Sequence, residues 1–295
     1  MLFKKRDEIS GKVLKVTRPL LITPQQAYVR PSQKDWWQTT TTIWQTDEII
    51  KRRVRDWRRL TGETGHDGAR NQTFRADHDS VYTGTHSVFP APLMEMIIVR
   101  YAGERGSHIL DAFAGGPPRG LVSAIMGHNY TGFEIRQEQI DENKAVLDRL
   151  HLRGANYIHG DGRFLECDTK FDCAITCPPY YNLEVYSDLP DDISNFRSYA
   201  EFNGSMFLCA LSHFQRLKPG AFACIIVGLF RDKSGELIDF PSDTVANFKE
   251  AGFLYWQHII LSKNFASAAV RAANAWKNSK LVPRHESLLI FKKPN

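Results

Sequence analysis

The chain has 295 residues and 42% hydrophobic residues, enough for one large α/β domain with an extension or for two modest domains. No run of about eighteen apolar residues occurs, which excludes a membrane-spanning helix, and no apolar signal core follows the charged start Met-Leu-Phe-Lys-Lys-Arg-Asp-Glu. The net charge of +5 hides an asymmetry: residues 1–75 carry 16 Lys/Arg against 8 Asp/Glu, residues 263–295 carry 7 against 1, and the stretch between them carries 15 against 24. Basic ends around an acidic body point to a polyanion gripped by the ends.

Residues 1–75 show little strand–helix rhythm. They contain Trp36-Trp37, a run from Thr39 to Thr42, and the block Lys51-Arg-Arg-Val-Arg-Asp-Trp-Arg-Arg59. Residues 47–60 are expected to form a helix: Asp47 can cap it, and Ile49, Ile50, Val54, Trp57 and Leu60 can form an apolar stripe. Lys51, Arg52, Arg53, Arg55 and Arg59 then fill the other face. Such a face contacts nucleic-acid phosphates or is simply solvated. Residues 61–80, rich in Gly, Asp, Asn and His, are expected to be a loop.

From about residue 88 the rhythm is regular. Helices are expected over Pro92–Ala102, Arg119–Met126, Gln137–His151, Tyr199–Leu217 and Ser242–Ala251. Strands are expected over His108–Ala114, Tyr130–Ile135, Asn156–Gly160, Phe171–Cys177, Ala221–Leu229, Phe253–Leu261 and Ser287–Phe291. Alternating elements with continuous apolar strands predict an α/β fold, a doubly wound, mostly parallel seven-stranded sheet covered on both faces. Such sheets bind ligands beyond the carboxyl ends of their strands.

Three strand ends carry candidate cofactor contacts. Ile109-Leu-Asp-Ala-Phe-Ala-Gly-Gly116 is an apolar strand running into a glycine turn, where backbone can approach a ligand closely. The turn departs from the Gly-x-Gly-x-x-Gly pattern of dinucleotide binders. Arg119, at the next helix start, can pair with a ligand carboxylate. Glu134 suits ribose hydroxyls, and Asp161 can accept from an adenine amine. Carboxylate, ribose and adenine contacts without a phosphate pocket describe S-adenosylmethionine better than NAD.

The fourth strand runs into Thr-Cys-Pro-Pro-Tyr-Tyr, residues 176 to 181. Pro178 and Pro179 cannot extend a ladder, so their carbonyls face the cleft beyond the strand. An exocyclic amine on a nucleobase is a poor nucleophile because its lone pair is conjugated. The Pro178 carbonyl and the side chain at Cys177 can accept its two hydrogens and free that pair, while Tyr180 stacks a base that has left its helix. A plain strand-ending turn is the bland alternative.

These segments resemble the S-adenosylmethionine-dependent DNA methyltransferases that modify N4 of cytosine or N6 of adenine. Asp111-Ala-Phe-Ala-Gly-Gly116 resembles their cofactor motif and Cys177-Pro-Pro-Tyr180 their catalytic motif. Ser87-Val-Phe-Pro90 looks like the segment over the methionine end of the cofactor, and Arg284–Lys293 resembles the last strand. Phe-Ala-Gly-Gly-x-x-Arg-Gly at 113–120 and Cys-Pro-Pro-Tyr-x-x-Leu-Glu-Val-Tyr-Ser-Asp at 177–188 are similar to a phage and prophage branch. The resemblance spans about 85 to 293.

The resemblance implies Ser87, Asp111, Phe113, Ala114, Gly115, Gly116, Arg119, Glu134 and Asp161 around S-adenosylmethionine. It implies Cys177, Pro178, Pro179 and Tyr180 at the target base. It divides the chain into a basic extension, 1–80, and a catalytic domain, 81–295. DNA, in double-stranded form, is the expected partner; RNA is the rival substrate, and a DNA-binding relative without turnover the rival class. With no room for a recognition domain between the motifs, DNA contacts fall to the basic N-terminus, to the 181–195 loop with Tyr181, and to the 263–284 segment with Arg271 and Lys277. Ala112 replaces a usual proline, and Cys177 stands where Asp, Asn or Ser is usual; sulfur is the weaker acceptor.

The five cysteines, at 167, 173, 177, 209 and 224, suggest reduced thiols in a cytoplasm. Cys167, Cys173 and Cys177 fit no zinc spacing, and the ten histidines are scattered. The oligomeric state is open, a homodimer included.

Overall fold

The computed structural model describes residues 3–6, 13–16, 24–30, 41–45, 53, 56, 57, 60, 89–183, 185–262, 276 and 279–295. Near the N-terminus, β1 (Phe3–Arg6) and β2 (Val13–Val16) form an antiparallel pair, followed by the short helix α1 (Pro24–Ala27) and strand β3 (Ile43–Gln45). The four described residues within 47–60, namely Arg53, Asp56, Trp57 and Leu60, are helical, as expected.

The regular part then runs α2 (Ala91–Tyr101), β4 (His108–Asp111), α3 (Pro118–Met126), β5 (Asn129–Glu134), α4 (Gln137–Arg149), β6 (Ala155–His159) and β7 (Phe171–Thr176). It continues with α5 (Tyr199–Arg216), β8 (Leu217–Val227), the ribbon β9 (Phe230–Arg231) and β10 (Leu237–Ile238), α6 (Phe240–Glu250), β11 (Leu254–Ser262) and β12 (His285–Lys292). Every helix and strand expected from residue 88 onward is present. The largest boundary difference is β8, which starts at Leu217 because Leu217 already pairs with Phe171 across a bulge in the ladder.

The main sheet has eight strands in the order β3-β11-β12-β8-β7-β4-β5-β6. The pairs β6–β5, β5–β4, β4–β7 and β7–β8 are parallel; β12 is antiparallel to both β8 and β11. The eighth strand is the correction to the sequence reading. Ile43, Trp44 and Gln45 pair in parallel with Ile260, Leu261 and Ser262, so part of the segment that looked irregular is a sheet edge.

Alternation along the strands separates two cores. Cys173, Ile175, Cys224, Ile226, Leu288 and Ile290 face α2, α3 and α4, where Trp44 and Trp57 also pack. Ala174, Ala223, Ile225, Leu289 and Phe291 face α5 and α6. The central strands are buried on both faces, which explains their unbroken apolar sequence. Capping fixes the second helical layer: Ser198 accepts from the Glu201 amide at the start of α5, and Asp239 from the Ser242 amide at the start of α6. No helix among the described residues is long and apolar enough to cross a membrane.

Candidate active site

The chain leaves β4 in one direction across β5 and β6, and in the other across β7 and β8. The topological switch point therefore lies between β4 and β7, where open α/β sheets form their ligand crevice. The two motifs singled out in the sequence are the carboxyl ends of these two strands.

Asp111 is fully buried and ties the ends together. It accepts from Thr176 Oγ1 at 2.7 Å, Tyr130 Oη at 2.7 Å, Arg119 Nε at 2.5 Å and the Phe113 amide at 3.1 Å. Thr176 Oγ1 in turn accepts from the Phe113 amide at 3.2 Å. Burial opposes the charge on Arg119, yet Asp111 and its neighbours hold the pKa of the guanidinium above its ordinary value. Burial and then Asp111 push the Tyr130 hydroxyl well up, so it stays a donor.

This corrects the role expected for Arg119. Its guanidinium also donates to the carbonyls of Phe113 and Ala114, so it serves the turn and not a ligand carboxylate. Asp111 likewise acts through the turn, since no part of it is exposed.

The glycine turn is pinned at both ends of Gly115. Its amide donates to Glu134 Oε2 at 2.9 Å, and its carbonyl accepts from Asn143 Nδ2, on α4, at 2.7 Å. Gly115 has φ +50°, in the left-handed region that favours glycine. The Ala114 amide donates to the Phe133 carbonyl at 2.9 Å, drawing Ala114 toward β5. Gly162, after β6, approaches just as closely: a Cβ there would stand 2.5 Å from the Ala112 carbonyl oxygen.

Glu134 and Asp161 end β5 and the β6 loop beside this turn. Glu134 also accepts from the Arg136 amide at 3.0 Å. Asp161 accepts from the Arg163 amide and Nε, each at 2.8 Å, and Arg163 reaches Asp191 at 3.1 Å. A carboxylate has about four acceptor positions, so both groups retain capacity for a ligand.

The turn is poorly suited to phosphate. Pro117 caps α3 and Pro118 begins it, which removes two of the N–H groups a helix N-terminus would offer an anion. Arg119 is already engaged. Carboxylates and carbonyls dominate what remains, a set that fits a cationic ligand rich in hydroxyl and amine donors.

After Thr176 comes Cys177, half-buried against the α2–α4 core. Pro178 and Pro179 are buried. The Tyr180 ring is half-buried, edge-on to Phe230 and Phe240 with both centroids at 6.2 Å. Tyr181 is corrected from its expected role on nucleic acid. Its ring is 6% exposed, packs against Tyr199 and Phe202, and its hydroxyl donates to the Arg197 carbonyl at 3.2 Å. Its φ of +39° is unusual for an aromatic residue. The buried ring thus anchors a strained reversal that carries Tyr180.

Arg53 also takes a different role. It donates to fully buried Glu95 through Nε at 3.0 Å and Nη2 at 2.6 Å, alongside Trp57 Nε1 at 3.0 Å and Tyr28 Oη at 2.9 Å. It fastens the N-terminal segment to α2, its guanidinium engaged by Glu95 and Asp56. Ser87, Lys51, Arg52, Arg55, Arg59, Arg271 and Lys277 lie outside the described residues. Among the described residues no cluster of His, Cys, Asp or Glu has a metal-binding arrangement, and no disulfide forms.

The sequence reading missed Thr176, Tyr130, Asn143 and Arg163. Thr176, Tyr130 and Asn143 act by hydrogen bonds to partners distant along the chain or to backbone atoms, Arg163 joins Asp161 to the distant Asp191, and none belongs to a spacing pattern. Thr176 had the only local signal, a polar residue closing an apolar strand.

No protein-family model and no curated protein matches the chain. Among solved structures it is similar to a TehB-like SAM-dependent methyltransferase from Corynebacterium glutamicum, with 14% identity, coverage of 84% of this chain and 99% of that one, and a TM-score of 0.45. It is similar to a methyltransferase from Pyrococcus furiosus, with 13% identity, coverage of 82% and 100%, and a TM-score of 0.49. TrmN from Thermus thermophilus shows 12% identity and a TM-score of 0.48, over 70% of this chain and 49% of that one, so this chain spans about half its length. At these values the likenesses carry no argument about cofactor or substrate.

Proposed function

We propose that the protein is an S-adenosylmethionine-dependent methyltransferase acting on an exocyclic amine, N4 of cytosine or N6 of adenine, of a flipped DNA base. The observation that carries this reading is the Thr176–Asp111 hydrogen bond, 2.7 Å long, which fixes the Cys-Pro-Pro-Tyr turn beside the glycine turn at the switch point. One turn is built for a donor-rich, phosphate-free cofactor, and the other ends in backbone carbonyls and an aromatic ring.

Glu134 would hold the ribose hydroxyls, Asp161 the adenine amine, and the backbone of Phe113, Ala114, Gly115 and Gly116 would line the cofactor; Ser87 is assigned there by resemblance alone. When bound, S-adenosylmethionine supplies an electrophilic methyl group on a sulfonium. The chain's residues prepare the nucleophile. The Pro178 carbonyl and Cys177 accept the two amine hydrogens, drawing the nitrogen toward tetrahedral geometry, and Tyr180 presents an aromatic face to the base. Flipping costs a few kcal/mol and stacking returns about 1–3 kcal/mol.

The basic residues of the two ends, Lys51, Arg52, Arg55, Arg59, Arg271 and Lys277 among them, would track DNA phosphates as part of a basic extension, 1–80, and of the 263–284 segment. The five cysteines suit a reducing cytoplasm. Nucleoside mass spectrometry of DNA and RNA from cells expressing the protein tests the proposal. N4-methylcytosine or N6-methyladenine in DNA is the expected result. The same modification in RNA alone moves the substrate to RNA, and neither, in a protein that binds the cofactor, overturns amine methylation.

A further inference from the structure

Arg163 joins the β6 end of the site to the loop that follows the Cys-Pro-Pro-Tyr turn. Its backbone is fixed on both sides: its amide donates to Asp161 Oδ1 at 2.8 Å, and its carbonyl accepts from Ser212 Oγ, on α5, at 2.5 Å. Its guanidinium holds Asp161 Oδ2 through Nε at 2.8 Å and Nη2 at 2.6 Å. Nη2 also reaches Asp191 at 3.1 Å, and the guanidinium carbon lies over the Phe196 ring, 5.4 Å from its centroid. One side chain, 13% exposed, therefore ties the β6 end to a segment 28 residues further along the chain.

The two contacts on the loop are unequal. Asp191 is 70% exposed, and an ion pair so open to water contributes little. Phe196 is half-buried, so its ring gives the guanidinium the firmer hold. A planar guanidinium can chelate a carboxylate and lie over a ring at once, which an ammonium cannot. The loop is braced internally and passes that hold on. Ser187 Oγ donates to Asp192 Oδ2 at 2.9 Å, Asp192 Oδ1 accepts from the Ser194 amide at 2.9 Å, and Asn195 Nδ2 donates to the Ser187 carbonyl at 2.5 Å. Next to Phe196, the Arg197 carbonyl accepts from Tyr181 Oη at 3.2 Å, and Tyr181 anchors the reversal that carries Tyr180.

We infer that Arg163 is a positioning residue: by holding Phe196 and Asp191, it sets where the Tyr180 ring stands relative to the β6 end of the site. This rests on the proposed methyltransferase reading, in which Tyr180 stacks the target base and the cofactor lies along the ends of β4, β5 and β6. Arg163 touches neither the base nor the reacting atoms in that reading. Its route runs from the guanidinium to Phe196, through the adjoining Arg197 carbonyl to Tyr181, and from Tyr181 to its neighbour Tyr180. Methyl transfer needs the amine nitrogen in line with the methyl group, and a misplacement of about 1 Å can cost on the order of 100-fold in rate. A contact that ties the cofactor side of the cleft to the base side controls that alignment.

The test measures methyl transfer to nucleic acid and calorimetric binding of S-adenosylmethionine in the full-length wild type, Phe196→Leu, Phe196→Tyr and Arg163→Met. Phe196→Leu removes the ring but leaves Asp161 chelated. It should lower kcat by roughly 2- to 30-fold, the span of one cation–π contact, with cofactor affinity unchanged. Phe196→Tyr retains the ring and should restore the rate. Arg163→Met should lower kcat at least as far and also weaken cofactor binding, because Asp161 loses its chelate. Combining Arg163→Met with Phe196→Leu should lower kcat no further than Arg163→Met alone, since both remove the same contact. Should Phe196→Leu fail to fold, Arg163→Lys, which retains a charge for Asp161 but no planar face for the ring, takes its place with the same expected fall in kcat. Wild-type kcat in the folded variant, or losses that add in the combined one, overturns this inference alone. A wild type that binds the cofactor and methylates no nucleic acid overturns the proposed function, and this inference with it.

Discussion

Thr176 Oγ1 donates to Asp111 Oδ1 at 2.7 Å while accepting the Phe113 amide at 3.2 Å. One hydroxyl therefore serves two strands, and it leaves neither the carboxylate nor the amide unpaired on that side. Thr176→Val preserves the shape and removes both bonds. The Phe113 amide keeps Asp111 Oδ1 as an acceptor, but the fully buried Asp111 carboxylate loses a donor, a change that costs about 1–3 kcal/mol. Urea unfolding should show that loss, and methyl transfer should fall with it because the two turns are no longer held in register. Thr176→Ser should retain most of both.

Arg119 and Asp111 form a buried ion pair in which each group also bonds elsewhere. Removing one partner strands the other charge away from water, at a cost of about 3–5 kcal/mol. Arg119→Met, which keeps an unbranched stem, is expected to lower the free energy of unfolding by that amount, seen as a lower denaturant midpoint at an unchanged slope. A stable, cofactor-free variant would instead return Arg119 to the ligand-binding role that its position suggested.

How much of this was legible in the sequence follows from how each feature is encoded. The central strands of the sheet are buried on both faces, so each is a continuous apolar run, and the turns after β4 and β7 carry glycine and proline. Both signals are local, and the positions of β4, β7, Gly115 and Pro178 could be read directly. Ile43–Gln45 escaped because a three-residue edge strand sits in a polar, threonine-rich stretch and pairs with a partner more than two hundred residues away. Arg53 and Tyr181 were misassigned for a common reason. A basic residue on a helix and an aromatic residue in a loop look exposed until a distant partner, Glu95 for one and the Tyr199–Phe202 pair for the other, buries them.

Arg53 makes that distinction measurable. If it holds Glu95, Arg53→Ala leaves a fully buried carboxylate with fewer donors, and stability should fall by about 3 kcal/mol. The salt dependence of DNA binding should then keep its slope, since no phosphate contact is lost. A shallower slope with unchanged stability would restore Arg53 to the DNA-binding face.

His128 is 5% exposed, and its Nδ1 has no hydrogen-bond partner among the described residues. Burial, then Arg30 and Arg105, lower its pKa from 6.5 to about 4. The unfolded chain takes up a proton at pH values where the folded chain still refuses it, so stability rises with pH between these limits. The contribution is complete above pH 6.5, declines as pH falls toward 4, and is level below. It amounts to roughly 2 kcal/mol once solvent screening is allowed for. Melting temperatures measured from pH 7.5 to 4 should decline more gently in His128→Gln than in the wild type.

Cys177 follows Thr176 directly, so the Thr176–Asp111 bond fixes its backbone whatever its side chain. It is half-buried, and a serine there changes the acceptor from sulfur to oxygen with little change in volume. If the side chain only accepts a hydrogen bond from the target amine, Cys177→Ser should match or exceed the wild-type rate of transfer from radiolabelled S-adenosylmethionine to DNA. Cys177→Ala should be slower than either, retaining only what the Pro178 carbonyl provides. Loss of turnover in the serine variant, with cofactor binding intact, would mean that the thiol itself takes part in the chemistry. The acceptor role would then rest on the Pro178 carbonyl.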